Sequence, residues 1–286
     1  MRVAFYAPLK APDHPVPSGD RRMARAFMGL LEGLGHQVRL ASGLRSYDRV
    51  GDPGRQRRMV AVGGRLAARL VRDAGPPPEL WFTYHSYHKA PDLLGPRAAA
   101  ALDIPYLIAE ASFAAKRTGG PWADFQEAAR RAIRAADLLL AMTEEDAAGL
   151  VELVRAPAMV LPFPPFLDAA PFAAAAAARA GHRARLAARH GLDPARPWLL
   201  TVAMMRADVK RQSYLALADG LMRLRHLPWQ LVLVGDGEAW PEIERRFAML
   251  GPMRAWLLGE VPGGELPAWY AAADLYVWPA FREAYG

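Results

Sequence analysis

The sequence predicts an α/β protein of two doubly wound units, each a mostly parallel sheet with helices on both faces. Three observations carry this expectation. Short apolar segments alternate with segments of helical period along most of the chain. The alternation runs twice, first from Val3 and again from Trp198. Between the runs lies a stretch rich in alanine and arginine, 169–196, that reads as a helical connector. The expected division is therefore an N-terminal domain over 1–168, a connector over 169–196 and a C-terminal domain over 197–286.

The first unit opens with an apolar strand from Val3 to Leu9, a Pro/Gly/Asp loop and a helix from about Asp20 to Leu34. Met23, Ala26, Phe27, Leu30, Leu31 and Leu34 recur at helical spacing, and Gly35-His36 ends the helix. Gln37 to Ala41 is the next strand, which completes a βαβ crossover. A helix over Arg55 to Asp73 follows. Strands are expected at Leu80 to Tyr84, Tyr106 to Ala109 and Asp137 to Met142, with a helix from Trp122 to Ala136. Thr143-Glu144-Glu145-Asp146 reads as a capped helix start. Met159 to Phe163 is a strand whose Pro162 confines it to a sheet edge.

The second unit begins with a buried strand from Trp198 to Met204. Helix Gln212 to Leu224, strand Gln230 to Val234, helix Pro241 to Leu250, strand Ala255 to Leu258, helix Glu265 to Ala272 and strand Leu275 to Trp278 follow. Two such runs suggest two doubly wound domains facing a cleft.

Composition narrows the chemistry. The chain has 286 residues and no cysteine, which excludes disulfides, zinc–thiolate sites and cysteine nucleophiles and fits a cytoplasmic protein. Its start lacks the apolar core of a signal peptide, and no segment reaches the ~20 apolar residues that span a bilayer. Lys and Arg number 36 against 29 acids, a net charge of +7 that suits phosphorylated small molecules, anionic lipid or nucleic acid. No nucleic-acid-binding motif accompanies it. The first turn, Ala7-Pro8-Leu9-Lys10, lacks the G-x-G-x-x-G of a nucleotide-dependent dehydrogenase. No His/Asp/Glu group has metal-ligand spacing, so no metal is expected.

An ordered set of motifs runs through the second unit. Thr201-Val202-Ala203-Met204-Met205-Arg206 is followed by Lys210, then by Val232-Leu233-Val234-Gly235-Asp236-Gly237 and Leu258-Gly259-Glu260-Val261. Tyr270-Ala271-Ala272-Ala273-Asp274-Leu275-Tyr276-Val277-Trp278-Pro279 comes next, and Glu283-Ala284-Tyr285-Gly286 closes the set. In order and spacing, these pieces resemble the donor domain of retaining glycosyltransferases of family 4, the sucrose-synthase and mannosyltransferase-like group. Ser18-Gly19, Gly35-His36 and Leu167-Asp168…Phe172 agree more loosely in the first unit. The resemblance implies the GT-B fold, two Rossmann-like domains, with 1–168 on the acceptor side and 197–286 taking the sugar nucleotide. Departures mark a divergent bacterial subgroup with its own acceptor side. The family's arginine position is Met205, with Arg206 one later, and Glu110-Ala111-Ser112 stands where many members carry a histidine.

The resemblance also assigns roles. A nucleotide-diphosphate sugar is the donor substrate, no cofactor is required, and the acceptor is a glycan or a lipid-linked sugar, as in polysaccharide or glycolipid assembly. Arg206 and Lys210 would bind the diphosphate, as a planar fork and a point charge past a strand's C-terminal end. Glu283 would act as the first glutamate of the family's Glu-x7-Glu signature, with the amides of Tyr285 and Gly286 on phosphate. Gly19 would admit diphosphate to the first β–α loop, and Gly235 either contacts nucleotide or only turns strand into helix. His85, in Tyr84-His85-Ser86-Tyr87-His88-Lys89, is the candidate for proton chemistry on an acceptor hydroxyl, and Glu110 and Ser112 end the next strand.

Two further expectations follow. The second glutamate of the signature would fall beyond Gly286, so the second domain is expected to be incomplete, and 1–286 alone to be an inactive fragment or a non-catalytic nucleotide-binding protein. Arg58, Arg65, Arg69 and Arg72 share an arc of about 60° at roughly 100° per residue, with Met59, Leu66 and Leu70 on the neighbouring face. That pattern fits peripheral contact with an anionic membrane, or a crossover helix packed by the same apolar residues.

Overall fold

The computed structural model describes residues 1–286 except 17, 74, 116, 117, 157, 158 and 282–286. The chain divides into two compact units, Met1–Leu167 and Asp168–Gly286.

In the first unit the strands are β1 (Arg2–Tyr6), β2 (Gln37–Ser42), β3 (Leu80–Ser86), β4 (Tyr106–Ala111), β5 (Leu138–Ala141) and β6 (Val160–Pro162). They form a parallel sheet in the order β2-β1-β3-β4-β5-β6. Strand order reverses between β1 and β3, the switch point at which an open α/β sheet takes its ligands. The helices are α1 (Gly19–Gly33), α2 (Pro53–Arg72), α3 (Gly95–Leu102), α4 (Ala123–Ala135) and α5 (Glu144–Val151). Each strand face has its own core. Phe5, Phe82 and Tyr84 pack with Phe27 of α1 on one side. Trp81, Tyr106, Ile108 and Leu139 pack with Ala67 of α2, Ala98 of α3 and Ile133 of α4 on the other. Thr143 caps α5 by accepting a hydrogen bond from the Asp146 amide, as its sequence predicts. Helix α3, short and alanine-rich with Pro96 near its start, had no clear sequence signal.

The second unit contains α6 (Ala170–Ala177), α7 (Arg179–His190), β7 (Trp198–Val202), α8 (Val209–Arg223), β8 (Gln230–Val234), α9 (Trp240–Ala248), β9 (Ala255–Leu257), α10 (Leu266–Ala272) and β10 (Leu275–Tyr276). Its parallel sheet has the order β10-β7-β8-β9, with the reversal between β10 and β7. The stretch expected as a connector is helical and packs within this unit. Arg179 and Arg183 of α7 donate to the carbonyls of Ala271, Ala272 and Ala273 at the C-terminal end of α10, where cations favour the helix dipole. Both also hold Asp274, whose carboxylate accepts the Trp198 amide at 2.7 Å.

Candidate functional site

At the switch point of the first sheet, three ionisable side chains converge. Ser18 caps α1 through the Arg21 amide, which places Gly19 and Asp20 in the helix's first turn. His85 comes from the C-terminal end of β3, and Glu110 from the corresponding end of neighbouring β4, between the register pairs Tyr84–Ala109 and Ser86–Ala111. His85 Nδ1 lies 3.0 Å from Asp20 Oδ1 and 3.9 Å from Glu110 Oε1. Both His85 and Glu110 have left-handed backbone, at φ 59° and 57°. Such conformations cost of order 1–3 kcal/mol in a non-glycine residue and gather where a site demands them.

Charge couples His85 and Asp20. Burial disfavours a charged imidazole, but the Asp20 hydrogen bond and the negative charges of Glu110, Asp20 and Asp146 outweigh it and hold His85 above its ordinary value. Burial likewise opposes the Asp20 carboxylate. The His85 hydrogen bond and charge, its own backbone amide and Lys10 hold it below its ordinary value nonetheless. The two shifts both favour pairing of an imidazolium with a carboxylate. When protonated, His85 donates hydrogen bonds; when neutral, it can take up a proton. Among the described residues, no hydrogen bond to its Nε2 is formed. The sequence had pointed to His85 but not to Asp20, 65 residues earlier.

Gly19 is the first residue of α1, and a Cβ there would meet nothing within 4 Å.

In the second unit, the loop after β7 is held against the loop after β8. The Met205 amide donates to the Asp236 carbonyl at 2.8 Å, and the Ala239 amide to the Met205 carbonyl at 2.9 Å. Met205 is fully buried beneath this crossing, which accounts for an apolar side chain at this position. Gly235, at φ 145°, and Gly237, at φ 151°, make the approach possible. A Cβ on Gly235 would clash with the Ala203 carbonyl, and one on Gly237 would lie 2.7 Å from the Met205 carbonyl carbon. The Gly235 amide already donates to Gly259. Gly235 thus turns strand into helix and packs; its amide is engaged within the protein.

This crossing presents Arg206 and Lys210 at the C-terminal end of β7. Arg206 is half-buried, its guanidinium 3.4 Å from Met204 Sδ. Lys210 lies in the first turn of α8, which Asp208 caps through the Lys210 amide at 2.9 Å, and its Nζ is 5.7 Å from the Trp278 ring centroid. A lysine in a helix's first turn adds a formal charge to amides already oriented toward an anion. Glu238 accepts the Ala207 amide at 3.1 Å, bringing one carboxylate to the same loop. Glu283, Tyr285 and Gly286 lie outside the described residues.

Residues 196–286 match the family model of glycosyl transferases group 1. The match covers most of the second unit, which is thereby similar to a glycosyltransferase domain. Solved structures share the fold of the whole chain. HepE of Anabaena in complex with UDP is 16% identical with a TM-score of 0.62, over 96% of this chain and 73% of that one. A glycosyltransferase from Rickettsia africae is 13% identical with a TM-score of 0.66, over 96% and 72%. The catalytic domain of starch synthase IV from Arabidopsis thaliana, bound to ADP and acarbose, is 16% identical with a TM-score of 0.63, over 99% and 79%. These likenesses establish the GT-B fold, with two Rossmann-like domains. No protein of curated function matches the sequence significantly.

Proposed function

We propose that the protein transfers a glycosyl group, with retention of configuration, from a nucleotide-diphosphate sugar to a hydroxyl of a glycan or lipid-linked acceptor. The observation that carries this reading is the group 1 match over the domain in which Arg206 and Lys210 follow the first strand. Negative charge grows on the diphosphate as the glycosyl bond breaks, and cations already in place there lower the barrier. Arg206 and Lys210 take that role. Glu283 and the amides of Tyr285 and Gly286 complete the donor contacts by the family pattern. In the first unit, Gly19 leaves the start of α1 open to a ligand, and His85, held by Asp20, donates to a substrate oxygen. The sugar nucleotide enters as substrate. Structures of this fold bound to UDP and to ADP support a nucleoside diphosphate as leaving group.

The proposed place of action is the cytoplasmic membrane surface. Among the described residues no helix is long and apolar enough to cross a membrane. Helix α2 exposes Arg55, Arg57, Arg58, Arg65, Arg69 and Arg72, whereas its Leu66 and Leu70 pack against the core. It therefore offers a bilayer charge but little apolar surface, and attachment would be electrostatic.

Incubation of the full-length protein with a panel of nucleotide sugars and simple glycosides, followed by proton NMR of the anomeric signals, tests the reaction. An α-linked product from an α-linked donor supports retention. An inverted product removes that part of the proposal, and nucleotide binding without transfer to any acceptor favours a non-catalytic binding protein.

A further inference from the structure

Glu110 is the member of the first unit's cluster that the proposed chemistry leaves without a task. Its side chain is 12% exposed. Oε1 faces His85 at 3.9 Å, while Oε2 is buried and has no hydrogen-bond partner. A buried carboxylate oxygen without a partner forfeits free energy that nearly every native structure recovers. The backbone at Glu110 is also left-handed, which aliphatic β4 neighbours such as Leu107 and Ile108 avoid. Neither feature helps the fold. The unpartnered oxygen is explained if a ligand supplies the missing donor. The surroundings restrict that ligand. Asp20, Glu110 and Asp146 act on His85, with Lys10 acting on Asp20 in opposition, so the acids outnumber the cations. An anion is disfavoured here, and a hydroxyl or an ammonium is favoured. The Tyr87 ring lies 5.0 Å from the His85 ring and 5.2 Å from the His88 ring. A carboxylate oxygen that lacks a donor is chemistry suited to the hydroxyls of a pyranose ring.

We propose that Glu110 is an acceptor-binding residue, whose Oε2 accepts a hydrogen bond from a hydroxyl or amino group of an uncharged or cationic sugar ring. This rests on the glycosyl-transfer reading, with the acceptor ring seated at the C-terminal ends of β3 and β4. The acceptor then presents a sugar free of phosphate and carboxylate at this point, even where a lipid phosphate lies farther along the molecule.

The test uses full-length protein and three probes, methyl glucoside, glucosamine and glucose 6-phosphate, followed by saturation-transfer NMR. The parent should bind the first two and discriminate against the third. Glu110→Gln keeps the shape but exchanges an anionic acceptor for an amide, and should weaken both at least tenfold. Glu110→Gly accepts the left-handed backbone readily, so it should abolish probe binding while its melting temperature holds or rises. Binding of UDP, ADP or GDP, whichever the parent takes, should be unchanged in both variants. Equal probe binding by parent and variants would overturn the proposal. So would failure of the parent to bind methyl glucoside and glucosamine at tens of millimolar, preference for the phosphorylated probe, or a marked fall in melting temperature in both variants. If the parent binds no nucleotide, the transferase reading fails separately from the carbohydrate site.

Discussion

His85 Nδ1 and Asp20 Oδ1 stand 3.0 Å apart, joining the end of the third strand to the first turn of the first helix. Each partner shifts the other's titration. Asp20→Asn should lower the His85 pKa, since its hydrogen bond and charge are among the causes that raise it. The linkage sign follows. A histidine whose folded pKa exceeds its unfolded value, about 6.5, stabilises fully below that value, and the contribution fades as pH rises through the folded pKa. The parent should therefore lose stability relative to His85→Gln between mildly acidic and mildly alkaline pH. Histidine NMR titrations and melting curves check both statements; an unmoved pKa in Asp20→Asn would remove the ion pair from the account.

The glycine crossing in the second unit makes a separate prediction about stability. Gly235→Ala places a Cβ against the Ala203 carbonyl in a backbone region that L-residues rarely adopt. Strain and overpacking together should cost roughly 2–4 kcal/mol. Gly237→Ala, against Met205, should behave alike. Denaturant melts of the full-length protein provide the measure, and a change below about 0.5 kcal/mol in both would mean the loops cross differently.

Acid should loosen the second unit through Asp274. Burial raises its carboxyl, but the Trp198 amide and the guanidinium groups of Arg183 and Arg179 outweigh this and hold it below the ordinary range. Its contribution is present above the unfolded value, about 3.9, and lost as pH falls through the folded one. The side chain is 38% exposed, so Asp274→Asn should cost only about 1 kcal/mol at neutral pH. That difference should vanish in acid, as melting curves from pH 7 downward would reveal; a constant difference would contradict it.

Much of the fold was legible because alternating apolar segments and their glycine and proline stops are local signals. Strand Gln230–Val234 agrees to the residue, and Pro162 does mark an edge strand. Helix Gly95–Leu102 was not legible, since eight residues rich in alanine carry little periodicity. The site divides the same way. Arg206 and Lys210 stand out in the sequence because they follow a strand within an ordered motif. Asp20 and the left-handed turn at Glu110 depend on strands adjacent in space but distant in sequence, and on backbone angles that glutamate does not announce.

The arginines of α2 give an electrostatic prediction. Full-length protein should sediment with anionic vesicles at low salt and not with neutral ones. About 150 mM salt should weaken the attachment, because the exposed charges are screened over about 8 Å. Replacing Arg58 and Arg65 by Gln should reduce pelleting without changing the melting temperature, as both side chains are exposed. Equal pelleting with both vesicle types would eliminate the membrane role.

The central claim is a diphosphate site at Arg206 and Lys210, and calorimetry tests it most directly. Full-length protein and its Lys210→Ala variant are titrated with UDP, ADP and GDP. A charge-assisted hydrogen bond to a phosphate is worth about 1.5–3 kcal/mol, so the preferred nucleotide should bind the variant roughly ten- to a hundredfold more weakly. A parent that binds none of the three, or a variant that binds as tightly as the parent, would contradict the account.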